Sequence, residues 1–283
     1  MTAQASPHRL TTENARKEDK PNEKILRTKK SQRSSTFRVH PRRSTHPVFA
    51  PGELLHIQDK FPVAYQPIGT IEWHGRQNPL GCDTIKAESI CIEAAKITGG
   101  VVMPPIYFGT DSIWDCGHGL GCGMDPVAGF QLPGSFYKMP EELLLNFYKE
   151  ACQNYLSRGF KLVVIVSGHN ATPQQLLFDR LCYEMKSDEG LMPVCFTMEF
   201  AVLEKDDPRR HSDHAGFYET SMMMHLTGER VNTNANDNCE IPELAVSTTK
   251  PLAHASAEEG AEYFRLQVQG LAKFTREKLN KLI

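Results

Sequence analysis

Three short segments hold the residues whose types and spacing could do chemistry. The first is Pro67-Ile68-Gly69-Thr70-Ile71-Glu72-Trp73-His74-Gly75, followed by Leu80-Gly81-Cys82-Asp83. The second is Val164-Ile165-Val166-Ser167-Gly168-His169-Asn170, and the third runs Asp213-His214-Ala215-Gly216-Phe217-Tyr218-Glu219-Thr220-Ser221. Glu72 and His74 are two apart, so in extended backbone their side chains point the same way. Imidazole with carboxylate suits Zn, Mn or Fe better than the oxygen-only shells of Ca or Mg. An Asp lying between two ions could bridge them. His214 on a glycine-bearing loop is a proton carrier, and Glu219 adds a further carboxylate. Each residue alone has a plainer reading. Glu72 and His74 could sit in a solvated loop, Asp83 could cap a helix, and Glu219 could favour a helix N-terminus. The coincidence of the three segments favours a metal or catalytic centre.

The elements that must position them alternate. Val63–Gly69 reads as a strand, Thr84–Thr98 as a helix stopped by Gly99-Gly100, and Val101–Met103 as a second strand. Pro140–Arg158 is an amphipathic helix with Leu144, Phe147, Tyr148, Ala151 and Tyr155 on one face. Leu162–Val166 is an apolar run of the kind buried on both faces of a sheet. Thr172 can cap the next helix with Pro173 at its first position. Val194–Phe200 is another strand, and Phe217–Leu226 and Glu258–Leu279 are further helices. This alternation predicts an α/β fold with a mostly parallel sheet covered on both faces, and ligands at the carboxyl ends of its strands. Between Tyr107 and Met139 lies a long irregular segment. Its Cys116, His118, Cys122 and Asp125 match no standard zinc spacing, so a mobile lid or subunit-contact loop is the expectation.

Composition bounds the rest. The chain has 283 residues with a formal net charge of −2, which implies no bulk attraction to nucleic acid or membrane. Residues 1–45 hold 12 Lys+Arg against 4 Asp+Glu, a net of +8, and residues 46–283 carry −10. The first stretch lacks apolar periodicity and reads as a disordered basic tail, leaving one domain over 46–283. There is no secretory h-region after Met1, and Leu162–Val166, the longest clean apolar run, is too short to cross a bilayer. The eight cysteines are scattered, as reduced thiols of a cytoplasmic protein would be.

These motifs together resemble the creatininase (creatinine amidohydrolase) family over about residues 50–275. Glu72-Trp73-His74-Gly75 with Asp83 resembles its E-x-H-G…T-D signature, and Leu132-Pro133-Gly134-Ser135 its F-P-G-T segment. Arg158-Gly159-Phe160 leading to Ser167-Gly168-His169 resembles its H-G-F strand and G-H-G-G-N turn. His214-Ala215-Gly216 with Glu219-Thr220-Ser221 matches its H-A-G-x-x-E-T-S motif. The resemblance implies a three-layer α/β/α sandwich and a centre of one or two divalent ions, Zn, Mn or Fe. By it Glu72, His74, Asp83 and His169 are ligands, with Asp83 bridging, and Glu219 is a further ligand or supporting carboxylate. His214 then handles protons, giving one to the leaving nitrogen. Trp73, Asp111 and Trp114 are assigned to substrate contact. The implied activity is hydrolysis of a non-peptide C–N amide bond of a small molecule, by a homo-oligomer that is often a hexamer. A catalytically idle, metal-stabilised binder on the same fold is the alternative. Five positions depart from the family pattern. Trp73 replaces Gln, and Arg76-Gln77 replace Pro-His. Ala171 stands where creatininase carries a Glu ligand, and Arg210 where it has a substrate-covering Trp. These departures point away from creatinine and toward other amides, such as formamides or peptide precursors.

Overall fold

The computed structural model describes residues 50–283, apart from 116–118, 212, 238–239 and 242. The basic segment 1–45 and three residues of the glycine-rich stretch, Cys116, Gly117 and His118, lie outside the described residues.

Four parallel strands form the central sheet. They are β1 (Val63–Ile68), β2 (Val101–Val102), β5 (Leu162–Ser167) and β6 (Val194–Met198), in the order β2-β1-β5-β6. β1 and β5 lie side by side in the middle, in register from Val63 opposite Leu162 to Ile68 opposite Ser167. Every residue of both strands is buried. Alternation sends their side chains to opposite faces. Ala64, Ile68, Val163 and Ile165 pack with Leu144, Tyr148, Leu177 and Phe178. Val63, Tyr65, Val164 and Val166 pack with Ala87, Ile90, Val268 and Leu271. One face is therefore covered by helices Glu141–Ser157 and Thr172–Glu184, and the other by Cys82–Thr98 and Ala257–Leu279. The expected α/β/α layering follows from β-strands too apolar to leave either face wet. Full burial of a side chain such as Ile165 contributes about 1.5–3 kcal/mol.

Several local expectations are corrected. The helix expected from Pro140 spans Glu141–Ser157, and its buried face is Leu144, Leu145, Tyr148 and Cys152. Phe147, expected inward, is 51% exposed, because Leu145 and Cys152 turn the apolar stripe past it. The N-cap of helix Thr172–Glu184 is Ala171, with no side-chain cap bond, so Thr172 is already inside the first turn. The irregular stretch contains a small antiparallel hairpin, β3 (Ile113–Asp115) with β4 (Leu120–Cys122), and a helical turn over Asp125–Ala128. A helix over Pro51–Lys60 adds to the elements read from the sequence. It has Pro51 at its first position, and the Glu53 carboxylate accepts the Ala50 N–H at 2.8 Å, yet none of its residues is fully buried. No helix among the described residues is long and apolar enough to cross a membrane. Cys82, Cys91, Cys122, Cys152, Cys182 and Cys195 are free and buried.

Candidate metal and catalytic site

The carboxyl ends of β1, β5 and β6 meet the N-terminus of helix Cys82–Thr98, and glycines make that approach possible. A Cβ at Gly69 would collide with the Thr84 backbone nitrogen, and one at Gly168 with the Asp83 carbonyl. With both positions bare, the first turn of the helix settles onto the strand ends. Asp83 thereby enters between the loop after β1 and the loop after β5. It is not a cap: Gly81 holds the N-cap position, and the Asp83 side chain turns inward. The helix N-terminus favours its negative charge.

Around Asp83 the three sequence segments converge. Its Oδ1 lies 3.0 Å from His74 Nε2, and its Oδ2 lies 3.3 Å from His169 Nδ1. Thr70 Oγ1 donates to Oδ2 at 2.5 Å. Glu72 Oε2 is 3.1 Å from His169 Nδ1, and Glu219 Oε2 is 3.6 Å from His74 Nε2. His74 Nδ1 is 3.1 Å from the Glu72 carbonyl oxygen. As the donor there, it leaves Nε2 facing the carboxylates, the arrangement that orients a ligating imidazole. Asp111 Oδ2 stands 3.4 Å from His169 Nε2 and accepts the Tyr137 hydroxyl at 2.8 Å. All of these side chains except that of Asp111 are buried below a tenth of their surface. Glu72, Asp83, Asp111, His169, His214 and Glu219 line a cavity of about 350 Å³.

The carboxylates control the imidazoles. Burial pushes His74 down, but Asp83 and Glu219 outweigh it and carry its pKa up to about 9. Burial opposes the charge on His169 as well, yet Glu72, Asp111 and Asp83 hold it well above the usual imidazole range. Asp83, despite burial, is kept well below the usual carboxylate range by His74 and His169.

The third segment sits opposite. Asp213 accepts the backbone N–H groups of Tyr218 at 2.7 Å and Glu219 at 3.2 Å, anchoring helix Phe217–Thr227. Ala215 adopts a left-handed backbone at φ 53°, its N–H held by Glu219 Oε2 at 2.7 Å. That strain, of order 1–3 kcal/mol, fixes the loop carrying His214. His214 Nε2 lies 2.8 Å from the Trp73 carbonyl, so Nε2 carries the proton and Nδ1 is the nitrogen left to accept one. Burial, then the neighbouring His74, lowers its pKa, so it is neutral near pH 7. It can serve as a proton donor only after first taking a proton.

Two expected substrate contacts fall away from the cavity. Trp73 directs its indole N–H to the Leu244 carbonyl at 3.2 Å, and Trp114 is 51% exposed on β3. Neither lines the cavity, whereas Asp111 does. Two residues absent from the sequence reading join the site. Lys86, three residues after Asp83 on the same helix face, bonds Glu219 Oε1 and lies 3.2 Å from Glu199 Oε1. Glu199 follows β6 as His169 follows β5, and burial raises its pKa to about 7. The rule that singled out His169 at a strand end would also have found Glu199.

The sequence profile of the creatininase family, described as creatinine amidohydrolase, matches residues 52–275. The chain belongs to the creatininase family. Among its curated relatives is the mycofactocin precursor peptide peptidase of Mycolicibacterium smegmatis. It is 28% identical over 205 residues, covering 70% of this chain and 68% of the relative. The creatinine amidohydrolase of Pseudomonas putida is 23% identical over 244 residues, 76% of this chain and 89% of that protein. A crystal structure of creatininase superposes with a TM-score of 0.64 at 17% identity, over 83% of this chain and 97% of the other, so the creatininase fold is shared.

Do the residues fit a divalent ion? Glu72, Asp83 and His169 place one ligand atom each within 4.8 Å of one another, as do His74, Cys82 and Glu219, and Glu72, His74 and His214. His169 Nε2 is buried without a hydrogen-bond partner, Asp111 being at ion-pair distance only. A mixed imidazole and carboxylate donor set is what Zn, Mn or Fe prefers. They fit.

Proposed function

We propose that this creatininase-family chain is a metal-dependent hydrolase that cleaves a C–N amide bond in a small, non-peptide substrate. The observation that carries the reading is Asp83, buried with one oxygen facing His74 and the other facing His169. Glu72, His74, Asp83 and His169 would hold the ion, with Glu219 beside them. A divalent cation held there supplies a Lewis acid that brings the pKa of a water toward neutrality and polarises a carbonyl oxygen.

The chain's own residues do the rest. Glu72 and Asp111 fix His169 from either side of its ring. His214, with Nε2–H tied to the Trp73 carbonyl, accepts the proton of the attacking water at Nδ1. The protonated ring then stands ready to deliver it to the leaving nitrogen. The Tyr137 hydroxyl, whose proton burial retains, holds Asp111 through its hydrogen bond. A cavity of about 350 Å³ admits a small amide. The relatives named for creatinine and for a precursor peptide support amide hydrolysis, and Arg210 in place of a covering Trp favours a substrate other than creatinine. The reading includes self-association. Ile113, Trp114, Leu120, Phe130 and Phe136 are exposed apolar side chains in one stretch of chain, as a subunit-contact segment would present them.

Metal content of purified protein, measured beside His74→Ala and His169→Ala and followed by an amide and formamide panel, tests the proposal. Bound Zn, Mn or Fe that both substitutions reduce, with turnover of a panel member, is expected. Metal binding with no turnover across the panel would leave the idle-binder reading standing. Full turnover by a metal-free His169→Ala protein would refute the scheme.

A further inference from the structure

We infer that Lys86 is a tethered cation filling one lobe of this centre, so that the chain holds a single divalent ion and not a pair. The inference rests on the metal-site reading above and adds the count and the residue that sets it. The donors form two adjacent lobes, Glu72 with Asp83 and His169, and His74 with Cys82 and Glu219. Asp83 faces both, Oδ2 toward His169 and Oδ1 toward His74. By donor type alone each lobe could take a cation.

The second lobe already has one, and His74, which also groups with Glu72 and His214, stays available to the ion in the first. Lys86 is 1% exposed, and its Nζ contacts Glu219 Oε1, lies 3.2 Å from Glu199 Oε1, and is 3.6 Å from Asp83 Oδ1. It also donates to the Gly168 carbonyl at 3.4 Å. These four oxygens come from the loops after β5 and β6 and from both helices that frame the site. Such a shell is what a small hard cation finds in a built site, and here the cation is on the chain. A lysine buried this deeply is placed by its surroundings, because an unpaired ammonium would not be kept out of water. The surroundings also tell its role apart from that of an ordinary buried ion pair. Lys86 shares Asp83 Oδ1 and the Glu219 carboxylate with His74, so a divalent ion in that lobe would compete with the ammonium for the same oxygens and be repelled by its charge. Its stem is packed at the foot of helix Cys82–Thr98, so it has no solvated position to retreat to.

The test counts ions. Full-length protein is equilibrated with excess Mn(II) or Zn(II), freed of loose metal, and analysed for metal per chain, with the Mn(II) form examined by electron paramagnetic resonance. The wild type is expected to hold one ion, with the signal of an isolated Mn(II). Lys86→Gln is expected to take up a second ion and to show an exchange-coupled pair. If Lys86→Gln does not fold, Lys86→Met combined with Glu199→Gln removes one charge of each sign and should also gain the second ion. Two ions in the wild type, or a folded Lys86 variant still limited to one, would overturn this inference while leaving the metal site intact. No ion at all in the wild type would overturn the metal reading and this inference with it.

Discussion

Metal uptake should expel protons, and pH is the perturbation that reveals it. In the metal-free protein His74 has a pKa of about 9, because the Asp83 and Glu219 carboxylates outweigh burial. His169 is raised in the same direction by Glu72, Asp111 and Asp83. Both rings are therefore protonated at pH 7, and a nitrogen cannot hold a proton and a metal together. Stripping His74 at pH 7, about two units below its pKa, costs on the order of 3 kcal/mol. That is about a hundredfold in apparent affinity. While both rings are charged, affinity should climb by about two decades per pH unit, falling to about one decade once His74 has titrated. Titration calorimetry in buffers of different ionisation heat reads the protons released directly, and chelator competition from pH 6 to 8.5 reads the slope. Close to two protons released per ion at pH 7 is expected. An affinity flat across that range, with no proton released, would refute the placement of His74 and His169 among the ligands.

The same His74 shift predicts how the metal-free protein responds to pH. Its folded pKa of about 9 exceeds the free imidazole value, so its contribution is full below about pH 6.5 and lost as pH rises toward 9, on the order of 3 kcal/mol. Thermal melting of chelator-treated protein should fall across that window, and added metal should restore it. His214→Ala should keep its metal, by elemental analysis, yet lose about 10²- to 10⁴-fold in kcat on whichever panel substrate the wild type turns over. In the wild type the acid limb of that rate should lie below the ordinary imidazole pKa, because burial and His74 lower that of His214. Gly168→Ala would press its methyl into the Asp83 carbonyl, costing about 1–3 kcal/mol in denaturant unfolding and weakening metal binding in the same titration.

What was legible in the sequence was whatever depends on near neighbours in the chain. β1 and β5 declared themselves as apolar runs ending in glycine, and those glycines proved to be the points where helix Cys82–Thr98 closes on the strands. The same runs pointed to Glu72 and His169, because a residue just past a buried parallel strand has only the sheet's carboxyl edge to occupy. Trp73 lies outside the cavity for the opposite reason. Its indole is turned by the carbonyl of Leu244, 171 residues along the chain, and no local pattern carries that information. The paired strands Ile113–Asp115 and Leu120–Cys122 are too short for period-2 alternation to stand out, and helix Pro51–Lys60 has no fully buried face to betray it.

Lys86 is the most instructive omission. By type it reads as a solvated helix residue, and only its offset of three from Asp83 hinted that both share a helix face. Its burial is decided by Glu199 and Glu219, which arrive 113 and 133 residues later. Those carboxylates in turn need Lys86, since Glu199, Glu219 and Asp83 would otherwise crowd uncompensated charge beside His74. The family motif marks where the negative groups converge. How that charge is shared between a bound ion and the chain's own ammonium is set by this one lysine, and counting ions in Lys86→Gln is the measurement that separates the two shares.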